Sequence, residues 1–146
     1  MHRKIAIIGL GYVGLPLAVE FGKKYSTIGF DTNINRITEL SKGMDSTGEV
    51  SKRNLQSSIK LKVTSNLDDI SKCNYFIISV PTPIDKRNKP NLKILFNATS
   101  FVGSVLKKND IVIYESTVYP GCTEEICVPI LQKESNLTYN EQFFCG

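Results

Sequence analysis

Short apolar runs alternate with amphipathic stretches along most of the chain, which predicts strands separated by helices. Ile5-Ala6-Ile7-Ile8 is uninterrupted and apolar, as expected of a strand covered on both faces. Beyond the glycine-rich turn Gly9 to Gly14, Val13, Leu17 and Phe21 recur at helical spacing, predicting a buried stripe, with Gly14 and Ala18 as a small-residue face. Pro16 predicts a slight distortion of that helix. Thr27 to Phe30 reads as a second strand, and Thr32 or Asn33 can cap a helix whose core face is Ile34, Ile37 and Leu40, with Gly43 as its stop.

The pattern weakens from Gly43 to Lys60, where at most a short polar helix is expected. Leu61 to Thr64 alternates as a short strand, and Ser65 or Asn66 can cap a brief helix over Leu67 to Cys73. Asn74 to Val80 is apolar, aromatic and β-branched, a strand stopped by Pro81-Thr82-Pro83. Ile84 to Pro90 reads as a solvated turn. Leu92, Leu95, Phe96, Thr99, Val102, Val105 and Leu106 follow helical spacing, with Asn91 as cap. Asp110 to Tyr114 is another strand, and Thr123 is the expected cap of a helix with Ile126, Ile130 and Leu131 inward and a kink at Pro129. A further strand is expected around Phe143 to Gly146.

Strands alternating with helices predict an α/β fold, a doubly wound parallel sheet with a crevice at the strands' C-terminal ends. The 146 residues are one domain long, so no second domain is expected within residues 1–146. Apolar residues at 41% and charged residues at 22% are ordinary for a globular protein, and no run approaches the ~18 residues of a membrane span. No signal peptide is visible, so a cytoplasmic location is expected. The net charge of +4 is spread without aromatic interleaving, against nucleic-acid binding. Cys73, Cys122, Cys127 and Cys145 form no CxxC pair, so no metal site is expected. Cys145 reads as a small buried residue. With His2 as the one histidine, no Ser-His-Asp or Cys-His arrangement can be built.

The chemistry-bearing signal is Gly9-Leu10-Gly11-Tyr12-Val13-Gly14, set between strand and helix, with Asp31 about 20 residues on at the tip of the next strand. Gly9 turns the chain sharply, Gly11 admits a pyrophosphate to the backbone, and Gly14 allows close packing of helix on strand. The helix N-terminus offers the N–H groups of Tyr12 and Val13 to the phosphates, and Asp31 can accept from an adenosine ribose. The unit predicts a Rossmann-type dinucleotide site. Asp31 repels a 2′-phosphate and so favours NAD over NADP. Arg36, five residues on, could reach a 2′-phosphate or simply cover the adenine face or the surface. Thr82 and Thr117 follow strands on the nicotinamide side and read equally as ligand contacts or strand-end caps. Glu115 and Asp85 read as solvated.

Ile7 to Ala18, Gly29-Phe30-Asp31, Val80-Pro81-Thr82-Pro83 and Tyr114-Glu115-Ser116-Thr117-Val118-Tyr119-Pro120-Gly121 together resemble the UDP-glucose/GDP-mannose dehydrogenase family over essentially the whole chain. Glu115 to Glu125, with Val128-Pro129-Ile130-Leu131 after it, is most similar to the branch that oxidises UDP-N-acetylhexosamines for surface polysaccharides, the Vi-antigen type. The resemblance implies an NAD-dependent oxidation of a nucleotide-sugar C6 alcohol to the carboxylate, in two hydride transfers through a cysteine-bound intermediate. Beside Gly9, Gly11, Tyr12 and Gly14 of the turn, it implies cofactor contacts at Val13, Asp31, Arg36, Thr82 and Thr117, with Thr117 also near the reacting centre as an auxiliary catalytic group. It further implies a homo-oligomer, and a nucleophilic cysteine, a lysine and a sugar-nucleotide domain outside these residues, so the chain is expected to be an inactive fragment. A β-hydroxyacid or 6-phosphogluconate-type cofactor domain and a free-standing NAD-binding module are the alternatives.

Overall fold

The computed structural model describes residues 2–146. Among these, six strands form one parallel sheet: β1 (Lys4–Ile8), β2 (Ser26–Phe30), β3 (Leu61–Thr64), β4 (Tyr75–Ile78), β5 (Ile111–Tyr114) and β6 (Phe144–Cys145). Their order is β3-β2-β1-β4-β5-β6. The chain winds outward from β1 in one direction, then returns to β1's other side with β4. That reversal leaves a crevice between the C-terminal ends of β1 and β4, the position where doubly wound sheets hold ligands. Ile8 pairs with Phe30 on one side and Ile78 on the other, so the loops after all three strands start at the same level.

Side chains alternate across the sheet, and both faces are covered. Ala6, Ile8, Phe76, Ile78 and Val112 face a cluster completed by Leu95 and Val102 of α5 (Lys93–Val105) and Leu131 of α6 (Val128–Ser135). Ile5, Ile7 and Ile77 face Leu15, Ala18 and Val19 of α1 (Gly14–Lys24) and Leu40 of α2 (Ile34–Ser41). Asn33 caps α2 by accepting from the N–H groups of Asn35 and Arg36, and Gly43, at φ +73°, follows its end, as expected from the sequence.

Several expectations are corrected. Gly14 and Ala18 form the small-residue face expected of α1, but the rest of its buried stripe is Leu15, Val19 and Gly22, whereas Val13 is 53% exposed and Leu17 and Phe21 are half-buried. The helix lies so close to the sheet that a methyl at position 22 would come within 2.6 Å of the Leu61 Cβ, so the smallest residues take the innermost line. α1 runs without a break past Pro16, which falls in its first turn, where the missing N–H costs least. Ile34 is 68% exposed, and Arg36 is buried on the α2 face in its place. As expected, the polar stretch before β3 contains a short helix, α3 (Lys52–Ser57), capped by Ser51, and Asn66 caps the helix after β3, which is a single turn, α4 (Leu67–Ile70), and stops short of Cys73.

The segment Ile84 to Pro90 is the solvated turn expected, exposed along its length and closed by its own hydrogen bonds. Ile84 bridges Pro90, and Asp85 accepts from the N–H groups of Arg87 and Lys89 at 2.7 and 2.9 Å. Thr123 makes no side-chain cap; it opens a π-helical turn, Thr123–Cys127, that runs directly into α6. The wider turn precedes Pro129, whose ring and missing N–H would conflict with a regular α-helical turn at that point. Cys145 is half-buried.

Candidate dinucleotide site

The three glycines of the first turn are required for three different reasons. Gly9 takes φ +95°, a left-handed conformation that turns the chain off β1, and its N–H donates to the Phe30 carbonyl at 2.8 Å. Gly14 lies against that same turn: a methyl there would stand 1.8 Å from the Gly9 carbonyl oxygen and 2.4 Å from the Ser79 hydroxyl oxygen. Gly11 has no atom within 4 Å of where its Cβ would be, so its smallness serves nothing inside the protein. It lines the cleft. The bareness of that position therefore fits the close approach of a ligand.

α1 begins without a side-chain cap and without an acidic residue in its first turn. The N–H groups of Gly11, Tyr12 and Val13 meet no acceptor among the described residues. Free amides at the positive end of an 11-residue helix make an anion site, and a pyrophosphate fits it by charge and by hydrogen bonding.

The cleft above the turn has a volume of about 560 Å³. Its floor is Ile8 to Gly11, one wall is Phe30 to Asn33, and the other is Val80 and Pro81 with Ile94, Asn97, Ala98 and Phe101 of α5. The α5 residues escaped the sequence reading, which followed the buried stripe of that helix. Their signal is present, as Ile94, Asn97, Ala98 and Phe101 follow helical spacing one step round from Leu95 and Val102.

Asp31 lies in the wall, where a ribose would meet it, and also braces the turn. Its Oδ2 accepts from the Leu10 N–H at 2.9 Å and its Oδ1 from the Asn33 N–H at 2.9 Å. Arg36 is 8% exposed and does not line the cleft. Its Nε donates to the Leu10 carbonyl at 2.8 Å, and its Nη1 donates to Asp45 at 2.9 Å and to Glu39. The guanidinium is thus engaged beneath the turn. Asp45 and Ser79 have no sequence-level signature. Asp45 lies in the stretch without periodicity, and Ser79 continues a strand's apolar run while its hydroxyl donates to the Gly9 carbonyl at 3.0 Å.

Thr82 and Thr117 stand beyond the residues lining the cleft, on loops that follow β4 and β5. The structure joins them: the Thr82 hydroxyl donates to the Thr117 carbonyl at 2.8 Å, and the Ser116 hydroxyl donates to the Val80 carbonyl at 2.7 Å. Glu115 is exposed and Asp85 folds its own loop. Burial raises three thiols, Cys145 to about 12 and Cys73 and Cys127 to about 11, against a role for these three as activated nucleophiles. Among the described residues no group of three His, Cys, Asp or Glu could hold a metal ion, and no helix is long and apolar enough to cross a membrane.

A six-stranded parallel sheet wound both ways from β1, a bare glycine facing a cleft at the switch point, free helix-start amides and an acid at the tip of β2 define a Rossmann-type dinucleotide-binding domain. Residues 3–144 match the profile of the UDP-glucose/GDP-mannose dehydrogenase family, NAD binding domain, and the chain belongs to that family, with NAD as its cofactor. It is 59% identical over 143 residues to the UDP-N-acetyl-D-glucosamine 6-dehydrogenase of Pseudomonas aeruginosa, covering 98% of this chain and 34% of that protein. It is 55% identical, with the same coverage, to the enzyme of that name from Salmonella typhi. Among solved structures, the UDP-D-ManNAc dehydrogenase of Pyrococcus horikoshii superposes with a TM-score of 0.91 at 34% identity, over 98% of this chain and 35% of that one. The chain spans about a third of the length of the curated relatives it matches.

Proposed function

We propose that residues 1–146 are the cofactor domain of a UDP-N-acetylhexosamine 6-dehydrogenase. The reaction converts the C6 alcohol of the nucleotide sugar to a carboxylate. Two NAD each accept a hydride, and one water supplies the second carboxylate oxygen. The observation that carries the substrate class is the 59% identity to a UDP-N-acetyl-D-glucosamine enzyme across 98% of the chain, set against 34% to a UDP-D-ManNAc enzyme of the same fold.

Within this reading the Gly11, Tyr12 and Val13 amides bind the pyrophosphate, Gly9 and Gly14 shape the turn, and Asp31 accepts from the adenosine ribose and repels a 2′-phosphate. Arg36 supports the turn from below. Thr82 and Thr117 hold the nicotinamide side, with Thr117 nearest the reacting carbon. NAD, when bound, supplies the hydride acceptor. The cysteine nucleophile, the lysine and the sugar-nucleotide pocket belong to the longer enzyme, a cytoplasmic homo-oligomer serving surface polysaccharide synthesis. The 146-residue chain therefore binds NAD without turnover.

Calorimetry tests the cofactor half: the chain should bind NAD, Asp31→Ala should weaken it, and tighter binding of NADP than of NAD would refute the reading. A substrate panel on the full-length enzyme tests the other half. Oxidation of a small β-hydroxyacid in preference to a UDP-N-acetylhexosamine would reject the assignment.

A further inference from the structure

The peptide unit joining Leu10 to Gly11 is held from below. Its carbonyl accepts from Arg36 Nε at 2.8 Å, and the preceding unit donates the Leu10 N–H to Asp31 at 2.9 Å. Because a trans peptide is planar, its N–H points away from its carbonyl. Tying the Leu10 carbonyl to a guanidinium beneath the turn therefore aims the Gly11 N–H the opposite way. That amide belongs to a cleft-lining residue and has no acceptor among the described residues.

Two carboxylates meet the guanidinium at Nη1: Glu39, one turn along α2, and Asp45. The Asp45 side chain is fully buried and lies nine residues from Arg36 in the chain, accepting from Arg36 Nη1 at 2.9 Å, the Thr47 hydroxyl at 2.6 Å and the Val50 N–H at 2.9 Å. Burial alone would raise its carboxyl, but the hydrogen bonds from Thr47, Val50 and Arg36 outweigh this and hold it at about 2. Of the two anions Asp45 is the one shut away from water, its side chain 0% exposed against 26% for Glu39, and it faces a guanidinium whose Nη2 is buried with no hydrogen-bond partner among the described residues.

We infer that Asp45 is a positioning residue for the cofactor: without reaching the nucleotide, it orients Arg36 against the Leu10 carbonyl and so presents the Gly11 N–H to the pyrophosphate. The inference rests on the cleft being the NAD site. It distinguishes Asp45 from a loop staple, because a staple would affect stability alone, whereas an aimed amide affects phosphate binding.

The test is a double-mutant cycle on NAD affinity by calorimetry, using the 146-residue chain with folding monitored by circular dichroism. Asp45→Asn and Arg36→Lys should each weaken NAD by about tenfold, the loss expected for one hydrogen bond to a charged group. The double variant should lose no more than the weaker single one. Thr47→Val, which removes another Asp45 partner and leaves the Arg36 pair, should stay within about twofold of wild type. A folded Asp45→Asn variant that binds NAD like wild type, losses that multiply in the double variant, or an equal loss in Thr47→Val would each overturn the inference. If Asp45→Asn does not fold, Arg36→Lys decides it by NMR: saturating ADP should shift the wild-type Gly11 amide strongly and the variant's weakly, and equal shifts would refute it. Failure of the wild-type chain to bind NAD would remove the site reading, and this inference with it.

Discussion

Gly14 faces the carbonyl oxygen of Gly9 so closely that a methyl at position 14 would stand 1.8 Å from it. That oxygen is backbone, in a turn already fixed by the Ser79 hydroxyl, and cannot yield as a flexible side chain could. Gly14→Ala should therefore cost about 3 kcal/mol or more and lower the melting temperature by about 10 °C in a thermal scan. Gly11→Ala, with nothing in its way, should leave the melting temperature within about 2 °C and still weaken NAD by at least about tenfold. The pair separates a glycine kept for the fold from one kept for the ligand.

The contrast also bears on what was legible in the sequence. The placement of Gly9, Gly11 and Asp31 along the cleft was legible because the strand–turn–helix–strand order fixes where a left-handed glycine, the next turn glycine and a strand-tip acid must fall. The small face of α1 was legible at Gly14 and Ala18, but Gly22 was missed because glycine carries little hydrophobic signal, and Leu15 and Val19 because the stripe was drawn through Val13, Leu17 and Phe21. Ile34 follows the cleft-lining Asn33 and stays exposed, although its spacing fits a core face. The roles of Asp45 and Arg36 were hidden for a different reason: their pairing crosses a loop with no periodicity, so only the three-dimensional path of that loop brings them together.

Thr82 and Thr117 make a second prediction. One hydroxyl-to-carbonyl bond of 2.8 Å ties the loop after β4 to the loop after β5. Thr82→Val should free the two loops and weaken NAD by about threefold, with less than about 1 kcal/mol lost in stability. Thr82→Ser should retain both values. Calorimetry and denaturant unfolding measure the two effects separately.

The buried Asp45 makes stability depend on acid. Its folded carboxyl, at about 2, lies below the ordinary 3.8, so the stability it contributes is full above about pH 4 and is lost as pH falls through 2. Protonation over that window should remove on the order of 1–2 kcal/mol. Urea unfolding from pH 5 to pH 2 should show a smaller decline in the Asp45→Asn variant than in wild type.

Burial also governs the thiols. With Cys145 raised to about 12 and Cys73 and Cys127 to about 11, the thiolate fraction at pH 8 is very small. Alkylation of the native chain by iodoacetamide at pH 8 should leave these three cysteines unmodified for hours, whereas the urea-unfolded chain should react within minutes. Fast native labelling at Cys145, followed by peptide mass spectrometry, would contradict the burial described above.

The empty space beside Gly11 has a consequence for anyone redesigning this chain. A procedure that scored only the folded protein would find no objection to alanine there and would gain a little from its lower chain entropy. If Gly11 admits the pyrophosphate as proposed, the procedure would erase the nucleotide's seat while reporting an improved molecule. On that reading the requirement for glycine belongs to the complex, and selection or scoring with the dinucleotide present is what detects it.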